Sequence, residues 1–467
     1  MKVSLLVAAL TLFVGGAVLT AQSGRSYGPG HIWWDSGQGG NLPWEEQYDN
    51  ADGLLGIVNE RGAVHTEGHA FFEALGTNGR ACITCHQPSN AMSLAAATAA
   101  QRWNETAGKD PLFAAIDGSN CPGLPQEKRE SHSLLLERGL FRIFLAWPPK
   151  GADGQAIRPE FEIEVVRDPT GCNLDPKYGL RSERPAISVY RRPRMTANLK
   201  YLTGDEAGEA RGMRLMADGR EPSLRSQAIN AVMGHEQAGV PPSAEQLRQI
   251  VDFERHIFAA QTADIRGGLL TEKDGPELLG PTNVSLGKGG VLGAAEDTFP
   301  VWRDPAGRLR EGLQKDFRAS VARGSEVFFG RTFVAGDHAR ATCSTCHNQR
   351  SAAAWMDIGT TNKAAAEAGS DELPLFKITC SGDAAPHPVY GRTIYTQDPG
   401  RALISGKCAD VGSIVVQQFR GLAARAPYFS NGSAKTLQEV IGFYDRRYGI
   451  RLTAREKEDL GNFLRVL

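Results

Sequence analysis

The sequence predicts a mainly α chain of two related halves, with one small β-element and long loops. Three observations predict it. A Cys-x-x-Cys-His pentad occurs twice, as Cys82-Ile83-Thr84-Cys85-His86 and Cys343-Ser344-Thr345-Cys346-His347. Apolar residues at Leu247, Ile250, Phe253 and Ile257 recur at the spacing of one helix face. Sheet-like alternation is confined to short runs, EFEIEV and ISVY, between residues 158 and 190.

The elements follow in chain order. Lys2, an apolar run from Val3 to about Leu19 and small residues around Ala21 have the basic–apolar–small order of a cleavable signal peptide, residues 1–21. The run is short for a membrane span, so the chain is expected to be exported to the periplasm and to keep no stable span afterwards. Residues 22–64, rich in Gly, Trp and Asp, read as an irregular N-terminal extension. Gly68 to Leu75 reads as a short helix entering the first pentad, and Ala91 to Trp103 as another. The apolar segment from Ser131 to Leu145 should be buried. Helix returns from Pro222 to Gln261, with Ser243 as N-cap and Gln246 three residues on. The Gly- and Pro-rich residues 265–315 read as a linker between an N-terminal unit, 65–264, and a C-terminal unit, 316–467. Phe317 to Phe329 is a helix entering the second pentad, and Thr453 to Leu467 closes the chain.

Composition narrows the function. The 467 residues are 41% hydrophobic and 22% charged with net charge −1, so nothing points to nucleic acid or an anionic membrane. Of eight cysteines, four lie in the pentads and four are isolated. In an oxidising compartment the simplest pairing of the latter is Cys121–Cys172 and Cys380–Cys408, with two other connectivities open.

The pentads carry the chemistry. Two thiols one helical turn apart can reach the two vinyl groups of a haem, and the adjacent imidazole can then face its iron. A zinc site would need four ligands close together, and a thiol redox pair would not need histidine beside it twice. Two covalent haem c groups are therefore expected, held by Cys82, Cys85, Cys343 and Cys346, with His86 and His347 on the irons. The fold expected is two cytochrome c-like haem domains.

Four segments taken together carry a resemblance: GTNGRACITCHQP (76–88), DGREPSLRSQA (218–228), RGSEVFFG (323–330) before the second pentad, and RGLAARAPYFSNGSAKTLQEVIGFYDRRYG (420–449). In that order they resemble the bacterial di-haem cytochrome c peroxidase/MauG superfamily, over roughly residues 65–467. The resemblance implies that the His86 haem reduces hydrogen peroxide. Electrons would reach it through the His347 haem from a small periplasmic cytochrome or copper protein. MauG-type members instead oxidise aromatic residues of a partner protein, and a non-catalytic di-haem carrier is the third reading.

The resemblance also assigns residues. Tyr444 ends the TLQEVIGFY run where peroxidases carry methionine and MauG-type enzymes carry tyrosine, so Tyr444 is expected as second ligand of the His347 haem, with Met356 as the alternative. Gln227 matches a family glutamine. The acid–base glutamate expected about ten residues later is Glu236, with His235 as second choice. Two departures stand out. Ala217 replaces the tryptophan before the DGR motif, leaving Trp302 or Trp355 as possible bridges. The segment Arg191-Arg192-Pro193-Arg194 replaces an asparagine-bearing calcium segment, which argues against calcium and offers arginines to haem propionates instead.

Overall fold

The computed structural model describes residues 33–151, 153–203, 215–273, 275–288, 299–303, 312–335, 339–347, 355–357, 360–361 and 370–467. The signal-peptide reading over 1–21, and the side chains of Met356 and Trp355, lie outside the described residues.

The expectation of a mainly α chain is corrected. Helix makes up 33% and strand 20%, with several sheets, two of them four-stranded among the described residues. One antiparallel sheet runs Glu45–Asn50, Gly53–Asn59, Ile257–Asp264 and Gly268–Leu269. Its two inner strands, GLLGIVN and IFAAQTAD, are covered on both faces, so their sequences lack the period-two alternation that marks a half-exposed strand. For that reason the helical reading ran on to Gln261. The helix Ala244–His256 in fact stops where Ile257 turns extended, at φ −94° and ψ 131°. The stretch read as irregular thus supplies two strands. Gly68 to Leu75, read as helix, is a run of turns.

The second four-stranded sheet joins distant parts of the chain. Phe161–Arg167, whose alternation was legible, pairs antiparallel with Leu375–Cys380, which in turn pairs with Thr393–Thr396. Phe376, Ile378 and Ile394 close an apolar core there with Ile187 and Val189. Disulfides Cys121–Cys172 and Cys380–Cys408 form as the simplest pairing has it.

Helices pack around the second pentad. Leu313–Gly330 lies against Ala454–Arg465, burying Phe317, Val321, Phe328, Leu460, Phe463 and Leu464 in one core. The two helices touch at Gly324, where a Cβ would stand 2.0 Å from the Asp459 carbonyl oxygen, so only glycine permits the approach. Ser243 and Thr453 cap their helices through Gln246 and Glu456. No helix among the described residues is long and apolar enough to cross a membrane.

A buried ion network ties the middle of the chain to its C-terminal part. Arg191 donates from Nε and Nη2 to both oxygens of Asp398, at 2.6 and 2.8 Å, and from Nη1 to Asp218 at 2.5 Å. Asp218, fully buried, also accepts from Arg220 at 2.6 Å. Removing Arg191 would leave two carboxylates buried with too little positive charge. Arg191→Ala is therefore expected to cost about 3–5 kcal/mol in denaturant unfolding. Arg248→Ala, which breaks an exposed pair with Glu245, should leave the midpoint unchanged within error.

Candidate functional site

Each pentad folds into a single helical turn, Cys82–Cys85 and Cys343–Cys346. The cause is local. Thr84 and Thr345 each accept, at 3.0 Å, the backbone N–H of the residue before the turn. The following amide closes it, His86 N–H to Cys82 O and His347 N–H to Cys343 O, both at 3.1 Å. Residues three apart share a face of such a turn, so the two sulfurs stand together with the imidazole beside them.

The first turn lies on the wall of a cavity of about 1440 Å³. Cys82, Cys85 and His86 line it, and so do all three acid–base candidates, Gln227, His235 and Glu236. The His86 Nδ1 meets the Met92 carbonyl oxygen at 3.1 Å, and the Arg194 backbone also contacts the ring. Burial pushes the His86 pKa down to about 4, so the ring is neutral and its lone pair available.

Glu236 sits just past the helix Leu224–Gly234 and is 3% exposed. Its Oε2 accepts the Leu75 N–H at 3.0 Å, and Oε1 is 3.6 Å from the Cys82 sulfur. Burial pushes its pKa up to about 7, despite those contacts. The fit depends on Gly76, where a Cβ would fall 1.7 Å from the Glu236 carbonyl oxygen. His235 is oriented by Asp117, with Nδ1 at 2.5 Å from Oδ2. Asp117 is in turn ion-paired with the buried Arg80. Burial alone would raise Asp117, but Arg80 and His235 outweigh it and hold the carboxyl below its usual range. Gln227, half-buried on the Leu224–Gly234 helix, faces the same space.

Met92, Arg80 and Asp117 are assigned no role by the sequence, and neither is one further acid. Glu254 lines the same cavity, is 2% exposed, and its Oε2 has no hydrogen-bond partner among the described residues. Burial pushes its pKa up to about 8. The signal was an acid falling on the apolar stripe of its helix, at i+4 from Ile250 and i+7 from Leu247.

The second turn lines a separate cavity of about 730 Å³ with His347 and Tyr444. The two rings meet edge to face, centroids 6.2 Å apart at 90°. Phe419 stacks on His347 at 4.0 Å. Among the described residues neither nitrogen of His347 reaches a partner in good hydrogen-bond geometry, although the Gln417 backbone contacts the ring, and burial lowers its pKa to about 4. Burial drives the Tyr444 phenol well above its ordinary value. Among the described residues no aspartate or glutamate lines this cavity, in contrast to the first.

A third space of about 710 Å³ adjoins both. Arg192, Pro193, Gln417 and Gln418 border it and the first cavity, while His347, Phe419 and Tyr444 border it and the second. Ala217 lines the first cavity at the place of the expected tryptophan. Trp302 is fully buried against Phe299 and Arg318 and lines none of these spaces.

These features suit a haem at each turn. Each cavity offers two adjacent thiols and one neutral imidazole, inside mainly apolar walls. The imidazole of the second is an orphaned polar group that needs a partner.

No family model matches the chain. It is 28% identical over 276 residues to the cytochrome-c peroxidase IdrP1 of Pseudomonas sp. (strain SCT), a match covering 54% of this chain and 64% of that protein's length. A solved structure, that of a MauG-like protein associated with microbial copper homeostasis, is 15% identical with a TM-score of 0.35, over 85% of this chain and 86% of the other. The similarity to the peroxidase supports the di-haem peroxidase/MauG superfamily, as the four motifs imply.

Glu254 generates a pH prediction. Its carboxyl holds a proton in the folded chain up to about pH 8 but loses it near 4.5 when unfolded. Between those values the folded state binds more protons, so stability falls as pH rises through the window. Glu254→Gln should flatten that part of the profile and raise the melting temperature above pH 8, as measured by thermal denaturation across pH.

Proposed function

We infer that this chain belongs to the bacterial di-haem cytochrome c peroxidase/MauG superfamily, and that it is an exported oxidoreductase reducing hydrogen peroxide at its first cavity. The observation that carries this is the asymmetry of the two cavities. Each has the same thiol–thiol–imidazole turn, but among the described residues only the first adds acids and a second histidine, at Glu236, Glu254, Asp117 and His235. Peroxide reduction takes two electrons and two protons to two waters, so the reducing site must also handle protons. The second cavity, lined by Tyr444 and with no acid among the described residues, suits electron transfer alone.

Haem c, held by Cys82 and Cys85 with His86 and by Cys343 and Cys346 with His347, would supply the redox iron. The residues do the rest. Met92 orients the His86 ring through Nδ1, as outer hydrogen bonds commonly do for metal-binding histidines. Glu236, poised near neutrality, takes a proton from the near oxygen of peroxide and returns it to the far one. Asp117 and Arg80 hold His235 at the cavity wall as the supporting donor. Gln227 is placed to orient the oxidant. Apolar walls keep bulk water from competing. The electrons would come from a small periplasmic cytochrome or copper protein.

A MauG-like oxidation of a partner protein's aromatic residues is favoured by one observation, Tyr444 standing in the His347 cavity where MauG-type enzymes carry their tyrosine. Against it, the residues bordering both the first cavity and the adjoining space are Arg192, Pro193, Gln417 and Gln418, none of which can carry an oxidising hole.

Two measurements test this reading. Peroxide turnover with a reduced small cytochrome should fall roughly 100- to 10,000-fold in Glu236→Gln, in kcat more than KM. Turnover equal to the parent would remove Glu236 from the role. In Tyr444→Phe the resting EPR spectrum should lose one low-spin ferric signal and leave the other haem unchanged.

A further inference from the structure

Among the described residues, three guanidinium groups in the wall between the cavities have no carboxylate paired with them, and only Arg194 feels one at longer range, Asp218. Arg192 and Arg425 are 8% and 6% exposed. Arg192 donates from Nη2 to the Leu94 carbonyl at 2.8 Å, and Arg425 from Nη2 to the Gln418 carbonyl at 2.6 Å. Arg194 donates to the Val415 and Val416 carbonyls at 2.8 and 2.9 Å. All these acceptors are neutral. Among the described residues no carboxylate pairs with any of the three, and the Nε atoms of Arg192 and Arg425 are buried with no acceptor. Their neighbour Arg191 shows the contrast, being matched by Asp398 and Asp218.

Arginine stays protonated in proteins, so burial without an anion is a standing cost. Burial first, then repulsion from Arg425, depresses Arg192 to about 9 and Arg194 to about 10. Such a cluster is stable when anions neutralise it. Its position says which ones. Arg192 borders the first cavity and the space adjoining the second, Arg194 borders the first, and Arg425 borders the adjoining space together with His347 and Tyr444.

We propose that Arg192, Arg194 and Arg425 form one anion site spanning the wall, and that it takes the propionate carboxylates of both haems. The site rests on the haem reading above. Guanidinium forks suit carboxylates in geometry as well as charge. Fixed positive charge here neutralises the propionates in the wall without a bound divalent cation. It also favours the reduced state of the iron it faces, since a reduced centre carries one more negative charge.

The test uses the purified holoprotein. Pyridine haemochrome and intact mass come first: fewer than two covalent haems overturn the functional reading and this site with it. With two haems present, native resonance Raman should show propionate-bending bands of hydrogen-bonded carboxylates; bands of free, solvated propionates overturn the proposal. Arg192→Gln and Arg425→Gln should each shift those bands and lower the midpoint potential of at least one haem, while Arg425→Lys keeps the potential close to the parent. Bands and potentials unchanged in both glutamine variants overturn the assignment. So does one tightly held calcium per chain whose removal by a chelator moves the same bands. Added succinate should leave the native bands unmoved; a shift would mean that a free carboxylate, not propionate, fills the site.

Discussion

The hydrogen bond from the residue before each CxxC turn to the threonine hydroxyl inside it holds the chemistry of this chain in place. A one-turn helix is too short to be stable on its own propensity. Thr84 and Thr345 secure its start by accepting the N–H of the preceding residue, Ala81 and Thr342. That closure puts two thiols on one side and delivers the imidazole at the C-terminal end. The surrounding structure then has to leave a space in front of the turn, and it does so twice.

The two spaces differ through electrostatics. Both bury an imidazole deeply enough to keep it neutral. Among the described residues only the first also buries carboxyl groups, and burial moves Glu236 and Glu254 toward neutrality by penalising their charged form. The charges are not treated alike. Asp117, Arg80 and His235 are matched to one another, as are Arg191, Asp218 and Asp398. Glu254, Arg192 and Arg425 are left unmatched beside the cavities. Matched groups build the frame, and unmatched groups mark where a partner of opposite polarity or a transferred proton belongs.

The halves of the chain are also not independent. A strand at Phe161–Arg167 pairs with one at Leu375–Cys380, and Arg191 reaches Asp398. The wall between the cavities is therefore built from residues near 192 and near 417, held at fixed separation by sheet and ion network. The proposed electron path and shared anion site would both depend on that fixed separation.

Sequence by itself determined the two turns, their thiols and histidines, and the cap at Ser243, because each is decided by residues within a few positions of one another. Gln227, His235, Glu236 and Tyr444 were also legible, through motif order, and the fold gathers the first three on one cavity and sets Tyr444 on the other. What only the tertiary structure decided was long-range. Strands buried on both faces carry no alternation, so GLLGIVN and IFAAQTAD could not be told from helix or loop. The state of Glu254, and the absence of a carboxylate beside Arg192 and Arg425, depend on groups up to hundreds of residues away, because burial and charge are properties of the assembled interior and not of any local run of residues.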